Sequence, residues 1–164
     1  MNKVYLGLGT NLGNKKENLK KCMDMLPESG VPVLKRSYVY RTQPVGDRQQ
    51  PFFLNMCVLG ETHLKPGELL RALKKTEEIM GRKKGPKWGP RIIDIDILFY
   101  NNIIFNSSGL VVPHPEIVRR RFVLEPLCDI ASDYVHPQAG KTIKTLLEEG
   151  VFDETSERTG EIND

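Results

Sequence analysis

The sequence predicts an α+β fold in which helices cover one face of a mainly antiparallel sheet. Three observations lead to this prediction. The chain has 164 residues, a length typical of one domain. Its hydrophobic fraction of 39% excludes disorder across the whole chain. Its apolar residues follow period-two spacing in some segments and helical spacing in others, in the order strand, helix, strand, strand, helix, strand.

The first strand and the first helix follow each other directly. Val4–Leu8 is predicted as a buried strand. The apolar residues of 19–26 recur at i, i+3, i+4 and i+7, which predicts a helix. Asn11 or Asn14 is its expected N-cap, and Pro27 ends it. The glycines of 7–13 have neither dinucleotide-loop nor phosphate-loop spacing, so we interpret them as a tight turn into this helix.

Two further strands and a second helix follow. Val31–Arg41 and Phe53–Thr62 are predicted strands, separated by the turn-rich segment Thr42–Pro51. The second helix has Pro66 near its start and Gly81 as its C-cap. Its apolar stripe consists of Leu69, Leu73, Thr76 and Met80.

The last strand completes the predicted core of the fold. It spans Ile92–Tyr100, after a basic loop rich in glycine and proline. The resulting order βαββαβ is that of a ferredoxin-like sandwich, a mainly antiparallel sheet with helices on one face.

The C-terminal part of the chain adds smaller elements. A hairpin around Asn101–Asn102 and short helices near 122–131 and 142–149 are predicted. We expect residues 1–150 to form a single domain. Residues 151–164 contain many acidic and few apolar side chains, so we expect them to be a flexible tail.

The net charge of +3 hides a strong asymmetry along the chain. Residues 148–164 contain seven acids and one base, which leaves 23 bases and 14 acids, a net charge of +9, in the rest of the chain. Basic clusters occur at 82–91 and 119–121. Such clusters indicate polyanionic partners, either nucleic acid or phosphorylated small molecules, with a solvated basic surface as the alternative.

Several classes of protein are not indicated. The apolar segment at the N-terminus is too short for a signal peptide or a membrane span, so we expect a cytoplasmic protein without a membrane partner. The three cysteines show no C-x-x-C pairing, which argues against a disulfide framework or a zinc site. The histidines are also too far apart for zinc. Among them only His114 is a candidate site residue, and an ordinary turn histidine is the alternative.

A pair of aspartates supplies the main chemical signal. In Ile93–Ile97, three isoleucines alternate with Asp94 and Asp96, so the carboxylates share the face opposite the helices, about 7 Å apart. Paired carboxylates beside a basic loop suit Mg²⁺, which prefers oxygen ligands and completes its coordination with water and phosphate. The alternative is a strand with a solvated polar face.

The neighbouring strand directs an aromatic ring and an amide to the same face. Alternation in 53–58 predicts that Phe53 and Asn55 point away from the helices. The ring can stack on a flat heteroaromatic ligand, and the amide can read its edge. Packing under the 42–51 loop is the alternative for Phe53. Phe122, beside the second basic cluster, is open to the same two interpretations.

The segment Lys87–Leu98, KWGPRIIDIDIL, resembles the signature of the 6-hydroxymethyl-7,8-dihydropterin pyrophosphokinases, enzymes of folate biosynthesis. The resemblance covers roughly residues 2 to 148. Further motifs occur in the order and spacing of this family: Gly7–Gly13, Tyr40–Gly46, Gln50–Asn55, Gly81–Arg82 and Val112–Pro115 with Arg120 and Phe122.

The resemblance implies a reaction and a set of catalytic residues. The enzyme would transfer the β,γ-pyrophosphoryl group of ATP to the pterin hydroxymethyl oxygen and release AMP. Asp94 and Asp96 would hold two Mg²⁺ ions that bridge the triphosphate. Arg82 and Arg91 would stabilise charge on the phosphoryl oxygens. Whether a side chain acts as general base is open, with Asp96 a candidate by proximity.

The resemblance also implies two groups of binding residues, and we expect a monomer. The basic loop would close over the substrates. Lys74 stands where some members have a glutamine. The pterin residues would be Thr42, Gln43, Pro44, Val45, Phe53, Asn55, Trp88 and Phe122. The nucleotide residues would be Lys74, Glu77, Arg82, Lys84, Trp88, Arg91, Ile97, His114 and Arg120.

Two other functions fit part of the pattern. An RNA-binding module would explain the charge and the exposed aromatic residue, but Asp94 and Asp96 would repel a phosphate backbone. The chain also lacks an aromatic-rich RNA-binding strand. A regulatory domain that binds a small molecule without turnover is the other alternative. We therefore predict a pyrophosphokinase without a nucleic-acid partner.

Overall fold

The computed structural model describes residues 1–44, 49–83, 85, 90–107 and 109–162. Within these residues the chain forms the following strands and helices. The strands are β1 Asn2–Thr10, β2 Val33–Arg36, β3 Val39–Thr42, β4 Phe53–Thr62, β5 Asp94–Tyr100, β6 Phe105–Ser107, β7 Leu110–Val112 and β8 Ser156–Gly160. The helices are α1 Lys15–Met25, α2 Pro66–Ile79, α3 Arg121–Ala131 and α4 Ile143–Glu149, with a 3₁₀ turn at Ile117–Arg119.

One antiparallel sheet organises the molecule, with the order β5-β1-β4-β3-β8 and β2 also paired with β4. β1 lies between β4 and β5. Its Gly9 is opposite Asn55 on β4 and opposite Asp94 on β5, while Gly7 is opposite Asp96. Directly opposed residues share a face, so this register brings the amide and both carboxylates to one face of the sheet.

The first two helices cover the other face of the sheet. α1 starts at Asn14, whose side chain accepts a hydrogen bond from the backbone N–H of Glu17 (3.2 Å). α2 starts with Pro66, which lacks the N–H that a helix start leaves unpaired, and the chain turns at Gly81 with φ +96°. None of the helices in the described ranges has both the length and the hydropathy of a membrane span.

The helices bury two separate apolar clusters. The first core, beneath α1 and α2, includes Leu19, Leu69 and Ile95. The second core, on the opposite face, packs Leu124 and Leu127 of α3 against β4 and β5. The ferredoxin-like arrangement predicted from the sequence is therefore confirmed. The position of the C-terminal helices, which cover part of the second face, was not predicted.

The predicted strand 31–41 is two strands. Both β2 and β3 pair with β4, but the ladder is interrupted at Ser37. The Ser37 side-chain oxygen accepts a hydrogen bond from the backbone N–H of Cys57 (2.8 Å), so a hydroxyl takes the place of a backbone acceptor there. Alternation of side chains does not reveal such a substitution.

The predicted hairpin around Asn101–Asn102 is wrong. A turn does occur there, with Asn101 at φ +48°, but β6 pairs with β7 and not with β5. The backbone N–H of Asn101 donates to the Lys3 carbonyl (2.7 Å), and its side chain accepts from the Lys3 N–H (2.8 Å). These bonds hold the turn against β1, so the chain leaves the sheet after β5.

The C-terminal segment predicted to be flexible instead adds a strand to the sheet. β8 pairs with the free edge of β3, and Ile162 beyond it is only 3% exposed in the first core. Edge pairing uses backbone groups, so it does not require the apolar alternation that the prediction looked for. A composition argument misses such a strand.

Candidate functional site

The uncovered part of the second face forms a pocket above the centre of the sheet. Gly7 and Gly9 on β1 have no side chains, so they leave a shallow floor between β4 and β5. The start of α3 and the segment after β7 add a wall. The pocket is lined by Gly7, Leu8, Gly9, Thr42, Gln43, Phe53, Asn55, Met56, Cys57, Arg91, Asp94, Asp96, Leu98, His114, Glu116, Arg120, Phe122 and Val123.

One end of the pocket combines aromatic rings with an oriented amide. Phe53 and Phe122 come to the lining from β4 and α3. The Asn55 side-chain NH₂ donates to Thr42 Oγ1 (2.7 Å), which fixes the orientation of the amide. The Asn55 Oδ1 then lies over Gly9, where a Cβ would be only 2.7 Å from it. This end presents flat apolar surface and a carbonyl acceptor.

The other end of the pocket is a cluster of acids and arginines. Asp94 Oδ1 lies 2.9 Å from Arg82 Nη1, and Asp94 Oδ2 lies 3.4 Å from Arg91 Nη1. Asp96 takes part in no ion pair with any residue in the described ranges. Burial, followed by the charges of Asp94 and Glu77, raises the pKa of Asp96 to about 8. The charges of Arg91 and Arg82 oppose this rise but do not cancel it.

Glu77 lies behind the pocket and not in its lining. It is 5% exposed, and its Oε2 accepts hydrogen bonds from the backbone N–H of Ile95 (2.8 Å) and from Arg82 Nη1 (2.7 Å). Burial raises the pKa of Glu77, whereas these two bonds oppose that shift. The carboxylate links α2 to β5 and orients Arg82, which differs from the nucleotide contact predicted for it.

Arg91 is held by the residue that follows β1. The Asn11 Oδ1 accepts from the backbone N–H of Arg91 (2.8 Å), and the Asn11 N–H donates to the Arg91 carbonyl (3.1 Å). The Asn11 side chain also donates to Gln50 Oε1 (2.8 Å) and to the Pro51 carbonyl (3.0 Å). Asn11 therefore joins the end of β1 to the segment before β4 and to the backbone of Arg91. Of the two expected N-cap residues, it is Asn14 that caps α1.

The wall formed by the segment after β7 and the start of α3 carries a histidine, a glutamate and an arginine. Nδ1 of His114 accepts a hydrogen bond from the backbone N–H of Glu116 (3.2 Å), so in the neutral ring the proton lies on Nε2. Burial lowers the pKa of His114. Arg120 Nε donates to Glu116 Oε2 (3.1 Å), which sets the position of the guanidinium.

Five of the predicted site residues that the structure describes are not in the pocket lining. Lys74 is exposed on α2, and the side chain of Ile97 is buried in the first core, where it can offer a nucleotide only its backbone. Pro44 is buried and does not line the pocket. Val45, Lys84 and Trp88 are outside the described residues. The other predicted residues, apart from Arg82 and Glu77 just behind them, line the pocket.

Sequence reasoning missed the glycines and Glu116. The motif 7–13 was interpreted as a turn, whereas Gly7 and Gly9 lie inside β1. Period-two spacing alone would have placed both glycines on one face of their strand. In the structure this is the face that carries the aspartates. The signal for Glu116 is its i,i+4 spacing from Arg120, with which it forms an ion pair.

The carboxylate pair fits a hard divalent cation bound together with a phosphate ligand. No group of three or more potential metal ligands occurs among the residues that the structure describes, so a fully protein-built cage is not present there. Asp94 and Asp96 supply two oxygen-bearing side chains on one face, and Asp96 forms no ion pair within the described ranges. Mg²⁺ binds in this way, with water and substrate oxygens as its other ligands.

Comparison with known proteins identifies relatives along most of the chain. Residues 5–132 match the family model described as 7,8-dihydro-6-hydroxymethylpterin-pyrophosphokinase. The 2-amino-4-hydroxy-6-hydroxymethyldihydropteridine pyrophosphokinase of Methylorubrum extorquens is 41% identical over 148 residues, 90% of this chain and 92% of that protein. The protein of the same name from Aquifex aeolicus is 40% identical over 149 residues, 91% of this chain and 92% of that protein.

Some relatives are much longer. Folic acid synthesis protein fol1 of Pneumocystis carinii is 41% identical over 145 residues, which are 88% of this chain. The chain spans only 20% of the length of that protein. The chain spans 24% and 26% of two folate synthesis bifunctional proteins of Arabidopsis thaliana.

A solved structure supports the fold independently. The crystal structure of wild-type Plasmodium falciparum HPPK-DHPS with pteroate matches 90% of this chain and 42% of that chain, with a TM-score of 0.73 and 19% identity. At this identity the likeness concerns the fold. Because the family model spans most of the chain and full-length relatives share about 40% of their residues with it, the family resemblance seen in the sequence is confirmed, and the chain belongs to the 7,8-dihydro-6-hydroxymethylpterin-pyrophosphokinase family.

Proposed function

We propose that the protein transfers the pyrophosphoryl group of ATP to the hydroxymethyl oxygen of 6-hydroxymethyl-7,8-dihydropterin, yielding the pterin diphosphate and AMP. The observation that carries this proposal is one pocket with two chemically different ends. A flat, amide-lined end suits a pterin, and an end with carboxylates and arginines suits a magnesium-bound triphosphate. The family membership of the chain supports the same reaction.

The pterin would lie at the aromatic end of the pocket. Phe53 and Phe122 provide ring surface for stacking. Asn55, fixed by Thr42, offers its Oδ1 as an acceptor for the N–H groups at the edge of the pterin ring. Gln43 and the backbone groups of Thr42 and Gln43 would complete this edge. A fixed amide recognises one orientation of the ring, so the hydroxymethyl group would point toward the aspartates.

Asp94 and Asp96 would hold the Mg²⁺ ions together with the triphosphate. When bound, these ions would neutralise phosphate charge and favour attack at the β-phosphorus. Asp96 forms no ion pair with the residues that the structure describes, and the charges of Asp94 and Glu77 raise its pKa, so a bound cation would relieve this crowding of acids. Because it lines the same pocket, Asp96 stays a candidate general base.

Arg82 and Arg91 would exchange partners when the nucleotide binds. Both guanidinium groups contact Asp94 in the structure, at 2.9 and 3.4 Å. Once Asp94 ligates a cation, these arginines can turn to the phosphate oxygens and stabilise charge in the transition state. Glu77 keeps Arg82 beside the site during this exchange. His114 and Arg120 would contact the nucleotide from the wall formed by the segment after β7 and the start of α3.

Product analysis tests the proposal directly. The protein would be incubated with ATP, Mg²⁺ and 6-hydroxymethyl-7,8-dihydropterin, and the nucleotide product identified by chromatography. We expect AMP in equal amount to the pterin diphosphate. Formation of ADP would indicate an ordinary kinase, and absence of any nucleotide conversion would indicate a binding domain; either result contradicts the proposal.

A variant of Asp96 links the reaction to this pocket. Asp96→Asn removes a metal-ligating charge from a crowded acidic cluster, so we expect turnover to fall on the order of 100-fold or more. The melting temperature should stay the same or rise, because burial raises the pKa of Asp96 to about 8 and so costs stability at neutral pH, a cost that an amide does not carry. Full activity of this variant would show that the aspartate does not take part in the reaction.

A further inference from the structure

The proposed reaction does not use residues 152–162, which we call the C-terminal strap. Phe152 packs against the second core and Ile162 is buried in the first, so both ends of the strap are anchored. β8 lies between these anchors. The strap therefore crosses from one face of the sheet to the other past the aromatic end of the pocket.

The strap braces β3, the strand that carries Thr42. Ser156 pairs with Thr42, and Thr159 Oγ1 donates to the Val39 carbonyl (3.2 Å). β3 thus has β4 on one side and β8 on the other. Because Thr42 Oγ1 is the acceptor that orients Asn55, the strap also supports the amide at the pocket edge.

The strap also contacts the start of α3, the helix that carries Phe122. Glu154 Oε1 accepts a hydrogen bond from the backbone N–H of Arg121 (2.9 Å), the first residue of α3. The N-cap residue Arg120 supplies no side-chain hydrogen bond to the helix. A helix start leaves its first N–H groups unpaired and favours negative charge. Glu154 therefore caps the first turn of α3, which also contains Phe122, the residue after Arg121.

We propose that Glu154 is a positioning residue for the pterin. By capping α3 it holds Phe122 at the pocket, and through β8 the same strap holds the Thr42–Asn55 pair. The two sides of the pterin end are thereby joined by one segment. This inference rests on the proposed function, because it takes Phe122 and Asn55 as contacts of the pterin.

The test measures pterin affinity and nucleotide affinity separately. In Glu154→Ala we expect the Kd for 6-hydroxymethyl-7,8-dihydropterin, measured by calorimetry, to rise about five-fold, as expected for loss of one helix cap. The Kd for magnesium-ATP should change much less, because Arg120 is the one proposed nucleotide contact beside this cap and Glu116 holds its side chain separately. Glu154→Gln keeps an acceptor oxygen, so it should bind pterin within about two-fold of the wild type.

Glu157 supplies the matched control, because it is an exposed glutamate on the same strap. Glu157→Ala changes the charge of the strap equally and should leave pterin affinity at the wild-type value. An unchanged pterin Kd in Glu154→Ala, an equal rise in Glu157→Ala, or an equal loss of ATP affinity would each overturn the proposal.

A second variant tests the same contact from the helix side. Arg121→Pro removes the N–H that Glu154 accepts, while proline is well tolerated at the first position of a helix. It should raise the pterin Kd as Glu154→Ala does, and the double variant should show no further rise. Additive effects would contradict the contact.

Failure of the proposed function has a different signature. If the wild type forms no AMP and binds no pterin, the proposed function is wrong. If the wild type is active but the pterin Kd does not depend on Glu154, only the positioning role is wrong.

Discussion

At the scale of single residues, His136 shows how a fixed hydrogen-bond acceptor contributes to the pH dependence of stability. His136 lies in the turn between α3 and α4 and is 4% exposed. Its Nδ1 accepts backbone N–H bonds from Gln138 (3.1 Å) and Ala139 (3.0 Å). A protonated ring cannot accept these bonds, and burial also lowers the pKa of His136. The folded state therefore favours the neutral ring.

This arrangement predicts a loss of stability in acid. Because the folded-state pKa of His136 is below its unfolded value, the contribution is complete above about pH 6.5 and is lost as the pH falls through the folded-state pKa. In His136→Asn the Oδ1 can accept the same bonds without titrating. Melting temperatures measured from pH 7 to pH 5 should fall less in the variant than in the wild type.

The comparison between the two proteins isolates His136, since all other titrating groups are common to both. The variant loses the edge contact of the ring with Phe99, so its melting temperature at pH 7 should be lower. An identical dependence on pH in both proteins would show that the ring does not stay neutral for this reason.

At the scale of elements, the glycines of β1 decide what fits over the sheet. A Cβ at Gly9 would be 2.7 Å from Asn55 Oδ1, whereas a Cβ at Gly7 would meet the Leu98 side chain at an ordinary 3.5 Å. Gly9→Ala must therefore displace the amide that Thr42 holds.

Gly9→Ala should raise the pterin Kd by roughly ten-fold, by analogy with the cost of overpacking a filled site. Gly7→Ala serves as the comparison, because it adds the same methyl group to the same strand and face without touching Asn55. We expect it to have a clearly smaller effect in the same binding titration. Equal effects of the two variants would mean that crowding of the floor, and not displacement of Asn55, controls pterin binding.

Elements differ in how far the sequence determines them. Alternation alone placed Asp94 and Asp96 on the open face, because a strand's side chains have only two directions. The helix α2 was equally predictable, from its apolar stripe and its proline and glycine ends. β8 was not, because its pairing uses backbone groups and its side chains are mostly exposed and polar. The hairpin was misplaced because Asn101 bonds to Lys3, nearly a hundred residues away in sequence.

The same difference applies to the site. Phe53, Asn55 and the aspartates lie on neighbouring strands, so their shared face follows from local patterning. The arrival of Phe122, His114 and Arg120 at the pocket depends on how the C-terminal third packs on the second face. Residue patterns offered His114 and Phe122 only as candidates, and it was the family resemblance that implied a site role for them and for Arg120. The resemblance also implied a nucleotide contact for Glu77, which the structure buries behind Arg82.

At the scale of the whole molecule, one sheet separates two cores and shares its strands between them. Leu69 of α2 and Leu127 of α3 are fully buried on opposite faces. Adjacent residues of β1 contribute to both cores, with Leu6 in the first and Tyr5 in the second. Neither core can form without the sheet, so the two are expected to unfold together.

Leu69→Ala and Leu127→Ala should each lower the free energy of unfolding by about 2–5 kcal/mol. Urea unfolding followed by circular dichroism and by tyrosine fluorescence should give one coincident transition for each variant. Separate transitions, or a second core that unfolds while the first remains intact, would show that the sheet does not couple the two faces.

The double contact of Asp94 with Arg82 and Arg91 has a consequence for selectivity inside a cell. Asp94 contacts both guanidinium groups and Glu77 contacts that of Arg82, so a bare anion such as inorganic phosphate must compete with carboxylates for them. A triphosphate that brings its own divalent metal can occupy the aspartate and free both arginines at once. The pocket would thus reject the many bare phosphates around it and admit the ligand whose charge is already partly balanced.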